Sequence, residues 1–450
     1  MDSKQHKFRT VILVLILAAA IVGGVFAISY YKGGVTLPWE LSTGDKEAKE
    51  VEQEPEKPHE LVVRVEEAKP EDSTDEDSEQ EAAPTVSKLD YYGPLSVYES
   101  SLVDAKGNPA QLTGVSSHGL SWFPEFITAD SIKSLRENWG INVIRLAMYT
   151  SDFNGYCVSG TDNQQVLKDK IDEAVKAATD NQMYVIIDWH TLNDNNPNTY
   201  KSEAIQFFGE MVRKYKDNDN VIYEICNEPN GDTTWADVKA YANEVIPVIR
   251  NVDSDAIILV GTPSWSSDLA SVAADPLDFE NIMYTYHFYA ASHKTVERDK
   301  LVEALDVGLP VFISEYGYVS ADGNGAVDTE EATKWNDVIR AYNLSSCIWN
   351  LSNKDEGSAL ISADSEAKVD FTYDDLSEQG KFFYDKLAAD KEYRASNANK
   401  SNDLNADSKN NDKSSNDKEA QDKNSKDKDS KDKDSKDKDS KDKKASRRSN

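Results

Sequence analysis

The chain has 450 residues and carries 81 acidic against 50 basic ones, a formal net charge of −31. That balance argues against nucleic acid as a partner, because such affinity rests on Lys and Arg neutralising phosphates. It suits a solvated enzyme that acts on a neutral polymer.

Lys4, Lys7 and Arg9 precede an uncharged apolar run over 11–28. Segment 1–32 therefore reads as a signal anchor or a signal peptide. The positive flank places the N-terminus in the cytoplasm and the rest of the chain outside. The run is just long enough to span a bilayer, while Val25 and Ala27 fit the small-residue pattern before a cleavage site. Both readings export the chain, either membrane-anchored at the cell surface by a single N-in pass or secreted. Segment 44–87 is rich in Glu, Asp, Lys and Pro and nearly free of aromatics, which makes it an acidic disordered linker. Residues 88–390 hold the apolar periodicity and form one large domain. The tail 394–450 is a Lys/Asp/Ser low-complexity segment in which Lys-Asp-Lys-Asp-Ser starts at Lys426 and recurs at Lys431 and Lys436. It reads as a solvated polyampholyte, or as an electrostatic tether to a charged envelope. Cys157, Cys226 and Cys347 are too scattered for a disulfide framework or a metal site. The last two lie in apolar runs and read as buried thiols.

Within the central domain, short Val/Ile/aromatic runs fall at 112–116, 143–149, 184–189, 221–226, 257–260, 282–288, 311–314 and 347–349. Stretches of helical period separate them. Ile171, Val175 and Ala178 share one face. Ala204, Phe207, Phe208 and Met211 do so in the next unit, and Val238, Tyr241, Ala242 and Val245 in the one after. Repeated β-then-α units predict an α/β fold, a (β/α)8 barrel, with an open doubly wound sheet as the alternative. No Gly-x-Gly-x-x-Gly follows a strand, so no dinucleotide site is indicated. Trp139 and Trp335 fall in helical stretches and are expected in the core.

In such a barrel the chemistry sits where strands end. Those ends carry His118, Arg145, His190, Asn227-Glu228-Pro229, His287 and Tyr289, Glu315 and Trp349. Cutting a glycosidic bond needs a proton for the leaving oxygen and a group on the far side of the anomeric carbon, and two carboxyls supply both. Glu228 is the expected general acid/base. Glu315 ends a run that otherwise reads as buried strand, where a carboxylate is costly unless partnered. It is the expected nucleophile, with Arg145 holding it ionised and Tyr289 donating to it. Asn227 would grip the sugar 2-hydroxyl. Trp122, Trp265 and Trp349, at or just after strand ends, are expected to pack against pyranose faces.

The stretches His118-Gly119-Leu120-Ser121-Trp122, Asn142-Val143-Ile144-Arg145, Ile187-Asp188-Trp189-His190, Ile222 to Pro229, Tyr286-His287-Phe288-Tyr289, Ile313-Ser314-Glu315-Tyr316-Gly317 and Trp349-Asn350-Leu351-Ser352 together resemble glycoside hydrolase family 5, the bacterial endo-β-1,4-glucanase (cellulase) subfamily. The resemblance implies a retaining mechanism with Glu228 as acid/base and Glu315 as nucleophile. It places supporting roles on Arg145, His190, Asn227, His287 and Tyr289. Trp349, His118 and Tyr149 would line the sugar site, and Lys354 and Glu356 would bond sugars on the non-reducing side. It implies β-1,4-glucan as the substrate, no metal and no other cofactor. Phe123-Pro124-Glu125-Phe126 departs from the family pattern, standing where a more polar stretch is usual. β-Mannan, xyloglucan and mixed-linkage glucan are alternative substrates of the same chemistry. A non-catalytic glycan-binding protein and a surface adhesin are the readings from other classes. No long apolar surface stripe points to a dimer, so a monomer is expected.

Overall fold

The computed structural model describes residues 89–393. The segments read from the sequence as a signal (1–32), a linker (44–87) and a tail (394–450) lie outside the described residues. Strands β3 (Thr113–Ser117), β4 (Val143–Tyr149), β5 (Tyr184–His190), β6 (Val221–Glu224), β7 (Ile257–Val260), β8 (Ile282–Tyr289), β9 (Val311–Gly317) and β10 (Ser346–Leu351) close into a parallel barrel. Each apolar run of the sequence became one barrel strand. The ends differ where polar residues prolong the ladder: β9 continues past Ser314 to Gly317 and β10 past Trp349 to Leu351.

The helices follow the apolar stripes. Gly160–Asp180 buries Ile171, Val175 and Ala178. Lys201–Tyr215 buries Ala204, Phe207, Phe208 and Met211. Trp235–Arg250 buries Val238, Tyr241, Ala242 and Val245, and opens on a capping box between Thr234 and Asp237. Trp139 and Trp335 are fully packed, as expected.

Side chains alternate in and out along a strand, so the barrel interior fills in layers. Val143, Tyr184, Ile186, Ile222, Ile257, Leu259, Met283, Phe312 and Cys347 make an apolar plug at the N-terminal end. Above it lies a polar layer containing Arg145, Asp188, Glu224 and Ser314, all fully buried. Tyr149, Tyr289 and Trp349 pack together above that. A hairpin of β1 (Leu95–Tyr98) and β2 (Ser101–Asp104) was not foreseen. Its Leu95 and Leu102 join the plug. The turn has no Asn-Gly signal; Glu99 adopts the left-handed conformation instead, at φ 52°.

Candidate active site

Glu315 reaches the barrel interior by a bulge. Between Phe312 and Glu315, β9 advances three residues while its partner β8 advances two, from Thr285 to His287. Strict alternation from Phe312 would turn Ser314 inward and Glu315 outward. The extra residue lets both face the polar layer. Ser314 Oγ bonds Glu224 at 2.7 Å. Glu315 Oε2 accepts from Arg145 Nη1 at 3.0 Å, and its Oε1 accepts from the Tyr289 hydroxyl at 2.7 Å. These are the two partners expected from the sequence.

Arg145 does more than hold Glu315. Its Nε and Nη2 grip both oxygens of Glu224 at 2.7 and 3.1 Å. Nη2 also donates to Asn227 Oδ1 at 2.6 Å, and Nη1 to Ser116 Oγ at 3.2 Å. With the bond to Glu315 these use all five guanidinium hydrogens. Asp188 Oδ2 lies 3.0 Å from Nη2 as a third carboxylate around the one cation.

Glu228 sits opposite. Its Oε1 lies 2.9 Å from His287 Nδ1, and His287 Nε2 lies 2.9 Å from Ser314 Oγ. One ligand atom each from Glu228, His287 and Glu315 lie within 4.8 Å of one another, so the two catalytic candidates approach oxygen to oxygen within that distance. The trio also has the spacing to seat a metal ion. His190 Nδ1 meets Asp188 at 2.6 Å, and its Nε2 faces the Asn227 amide nitrogen at 3.3 Å.

Aromatic rings lead outward from this centre. Trp349 stacks on His190 at 5.4 Å and 12°, and Tyr149 packs on His190 at 4.2 Å, tilted by 51°. His118 follows Trp349 at 5.4 Å. Lys354 Nζ donates to His118 Nε2 at 3.1 Å and pairs with Glu356 at 2.5 Å. Burial, then the charge of Lys354, pushes His118 down to about 4, so it accepts that bond as a neutral imidazole. Trp122 lies beyond His118 and is half-exposed. Trp265 lies in a turn with φ 56°, and its backbone nitrogen bonds the carbonyl of Pro229, next to Glu228, at 3.1 Å. The unusual Phe123-Pro124-Glu125-Phe126 stretch is a support: Phe123 packs against His118 at 5.1 Å, and Phe126 is buried against Phe371.

A family model described as cellulase (glycosyl hydrolase family 5) matches residues 103–355. The chain belongs to glycosyl hydrolase family 5. It is 59% identical over 410 residues to endoglucanase A of Butyrivibrio fibrisolvens, which covers 86% of this chain and 95% of that protein. It is 49% identical to an endoglucanase of Clostridium saccharobutylicum, over 64% of each. The catalytic domain of a Thermobifida fusca endoglucanase, solved with cellotetraose, is similar at 36% identity and a TM-score of 0.62, over 66% of this chain and 97% of that one.

The protonation pattern of this family 5 site follows from its hydrogen bonds. Ser314 has one hydrogen and gives it to Glu224, whose two oxygens also both accept from Arg145. Ser314 must therefore accept from His287 Nε2–H. Burial pushes His287 down to about 4, so it is neutral and its Nδ1 is bare. Glu228 then donates its carboxylic proton to Nδ1. Burial pushes Glu228 up to about 7, consistent with a neutral acid. Glu315 is also raised, by burial and by the neighbouring Glu228, yet it alone of the two takes a hydrogen bond from Arg145. The order of the pair is thus Glu228 above Glu315. Asp188, Glu224 and Ser314 join the site as residues beyond those expected from the sequence. The signal was there: Asp188 and Glu224 are acidic residues inside apolar strands, and they pair across β5 and β6.

Proposed function

We propose that this enzyme cuts internal β-1,4 linkages of glucan by double displacement, with Glu228 as general acid/base and Glu315 as nucleophile. The observation that carries the reading is the close approach of the two carboxyls, oxygens within 4.8 Å. Such a close approach of single oxygens fits the closer placement of retaining pairs, whose carboxyl groups stand about 5–5.5 Å apart, better than the about 6.5–9.5 Å between groups that inverting pairs leave for a water. In the first step the leaving oxygen takes the proton of Glu228 while Glu315 attacks the anomeric carbon. Arg145 and Tyr289 hold both oxygens of Glu315 on line. Arg145 also fixes Asn227 through its Oδ1. One amide hydrogen of Asn227 goes to Thr191 O at 3.1 Å. The other meets His190 across the longer 3.3 Å contact, which a sugar 2-hydroxyl can replace. In the second step the ionised Glu228 takes a proton from water, which releases the sugar from Glu315 with its configuration retained.

Viscosity loss and reducing-sugar release from carboxymethylcellulose, followed together, test the endo mode. Viscosity is expected to collapse while few ends have been released. Proton NMR of early cellohexaose products tests the chemistry: the β-anomer must appear first, and an α-anomer first would overturn the retaining scheme. Side-by-side rates on mannan and xyloglucan are expected to fall below those on β-glucan.

Activity is expected to decline as pH rises through about 7, because Glu228 then loses the proton it must give. Initial rates of kcat/KM against pH check this. A flat profile from pH 6 to about 9 would remove Glu228 from the acid role.

The positive flank and apolar run at 11–28 support export, anchored or secreted, and the net charge of −31 supports a monomer. Cell fractionation and sedimentation test these.

A further inference from the structure

We propose that Phe153, with Trp122, forms an outer glucosyl platform that lengthens the sugar cleft past the His118–Lys354–Glu356 cluster. The inference rests on the functional reading above and adds to it a residue that determines chain-length preference.

The rings form a continuous series away from the carboxylates. Trp349 stacks on His190 at 5.4 Å, His118 follows Trp349 at 5.4 Å, Trp122 follows His118 at 6.3 Å, and Phe153 follows Trp122 at 4.9 Å. The inner members are enclosed, at 7% for Trp349 and 6% for His118, and the outer ones open, at 43% for Trp122 and 54% for Phe153. A cleft that holds a chain from its reacting end outward has this gradient. The inner rings are enclosed and the outer ones are open for successive sugars.

The loop that carries Phe153 is fastened while its ring stays exposed. Gly155 N bonds Asp152 O at 2.8 Å and closes the turn. The Asn154 carbonyl accepts from Ser121 Oγ at 2.9 Å and from Asn163 at 2.7 Å. Asn193 donates to Asp152 at 2.5 Å. Trp122 is placed just as firmly. A Cβ on Gly119 would come within 2.8 Å of both Trp122 Cδ1 and Tyr149 Cε2, so glycine is what allows the indole to lie this close to the sugar-site wall. An exposed apolar pair on fastened backbone, continuous with the ring series that starts beside the carboxylates, marks a ligand surface more than a chance patch. Its flat faces suit the C–H face of a pyranose, and preorganisation lowers the entropic cost of binding.

The test is Phe153→Ala, with Phe153→Tyr as the conservative variant, in the full chain. kcat/KM is measured on cellohexaose, which reaches the platform, and on an aryl cellobioside, which does not. The ratio of the two values is expected to fall about three- to tenfold in Phe153→Ala and to recover in Phe153→Tyr. The positions at which cellohexaose is cut, read with a label at the reducing end, are expected to shift in Phe153→Ala. An unchanged ratio would overturn the proposal, including the case in which both rates fall equally because Phe153 merely props Trp122. Loss of hydrolysis in Glu315→Gln is scored separately, so a failed platform and a failed assignment of the carboxylates are distinguishable.

Discussion

Glu315→Gln is expected to lower kcat on cellohexaose by about 10⁴-fold or more, since an amide cannot form the glycosyl-enzyme. The substitution keeps the shape of the side chain. It nevertheless turns an amide NH2 toward either Arg145 or Tyr289, both of which now donate to carboxylate oxygens at 3.0 and 2.7 Å. One of these donors is left without an acceptor, so a modest loss of stability accompanies the loss of rate. Binding of cellohexaose by calorimetry and the thermal midpoint show whether the protein is still folded and still binds. A folded variant that keeps more than about a hundredth of the wild-type rate would mean that another group attacks the anomeric carbon.

The barrel was legible because its strands are buried on both faces and so read as apolar runs without alternation. The chemistry was legible because polar residues at the ends of such runs must share one rim. Two things were hidden for physical reasons. The first is the β9 bulge, which has no local sequence signature here. Counting by twos from Phe312 sends Glu315 to the helix side, and only the register against β8 reveals the extra residue. The second is the extent of the polar layer. The sequence offers Arg145 and Glu315 as a pair, but the structure surrounds Arg145 with Asp188, Glu224 and Glu315.

That surplus of buried acid bears on the mechanism. One cation cannot compensate three enclosed carboxylates and Glu228 as well, so some of them retain protons at neutral pH. Burial pushes Asp188 up to about 7 alongside Glu228, while Glu224 holds the bidentate contact with Arg145. Glu224 thereby fixes the direction of the Ser314 and His287 hydrogen bonds. The state of Glu228 is thus set from within the barrel, through His287, Ser314 and Glu224.

Glu228→Ala separates the two halves of the reaction. On cellohexaose the rate is expected to fall by about 10²–10⁴-fold, because an alcohol leaving group needs the proton that Glu228 provides. On a dinitrophenyl cellobioside the leaving group departs unassisted, so Glu315 is still glycosylated. The second step then stalls for want of a base, and a burst of phenolate followed by slow turnover is the expected trace. Azide needs no base to attack, and the gap left by the side chain beside His287 admits it. Added azide is expected to restore turnover and yield the β-glycosyl azide, the product of attack on an intermediate held by Glu315 from the opposite face. An α-glycosyl azide would reverse the roles of the two carboxylates. No burst and no rescue from a folded variant would place the acid/base outside Glu228.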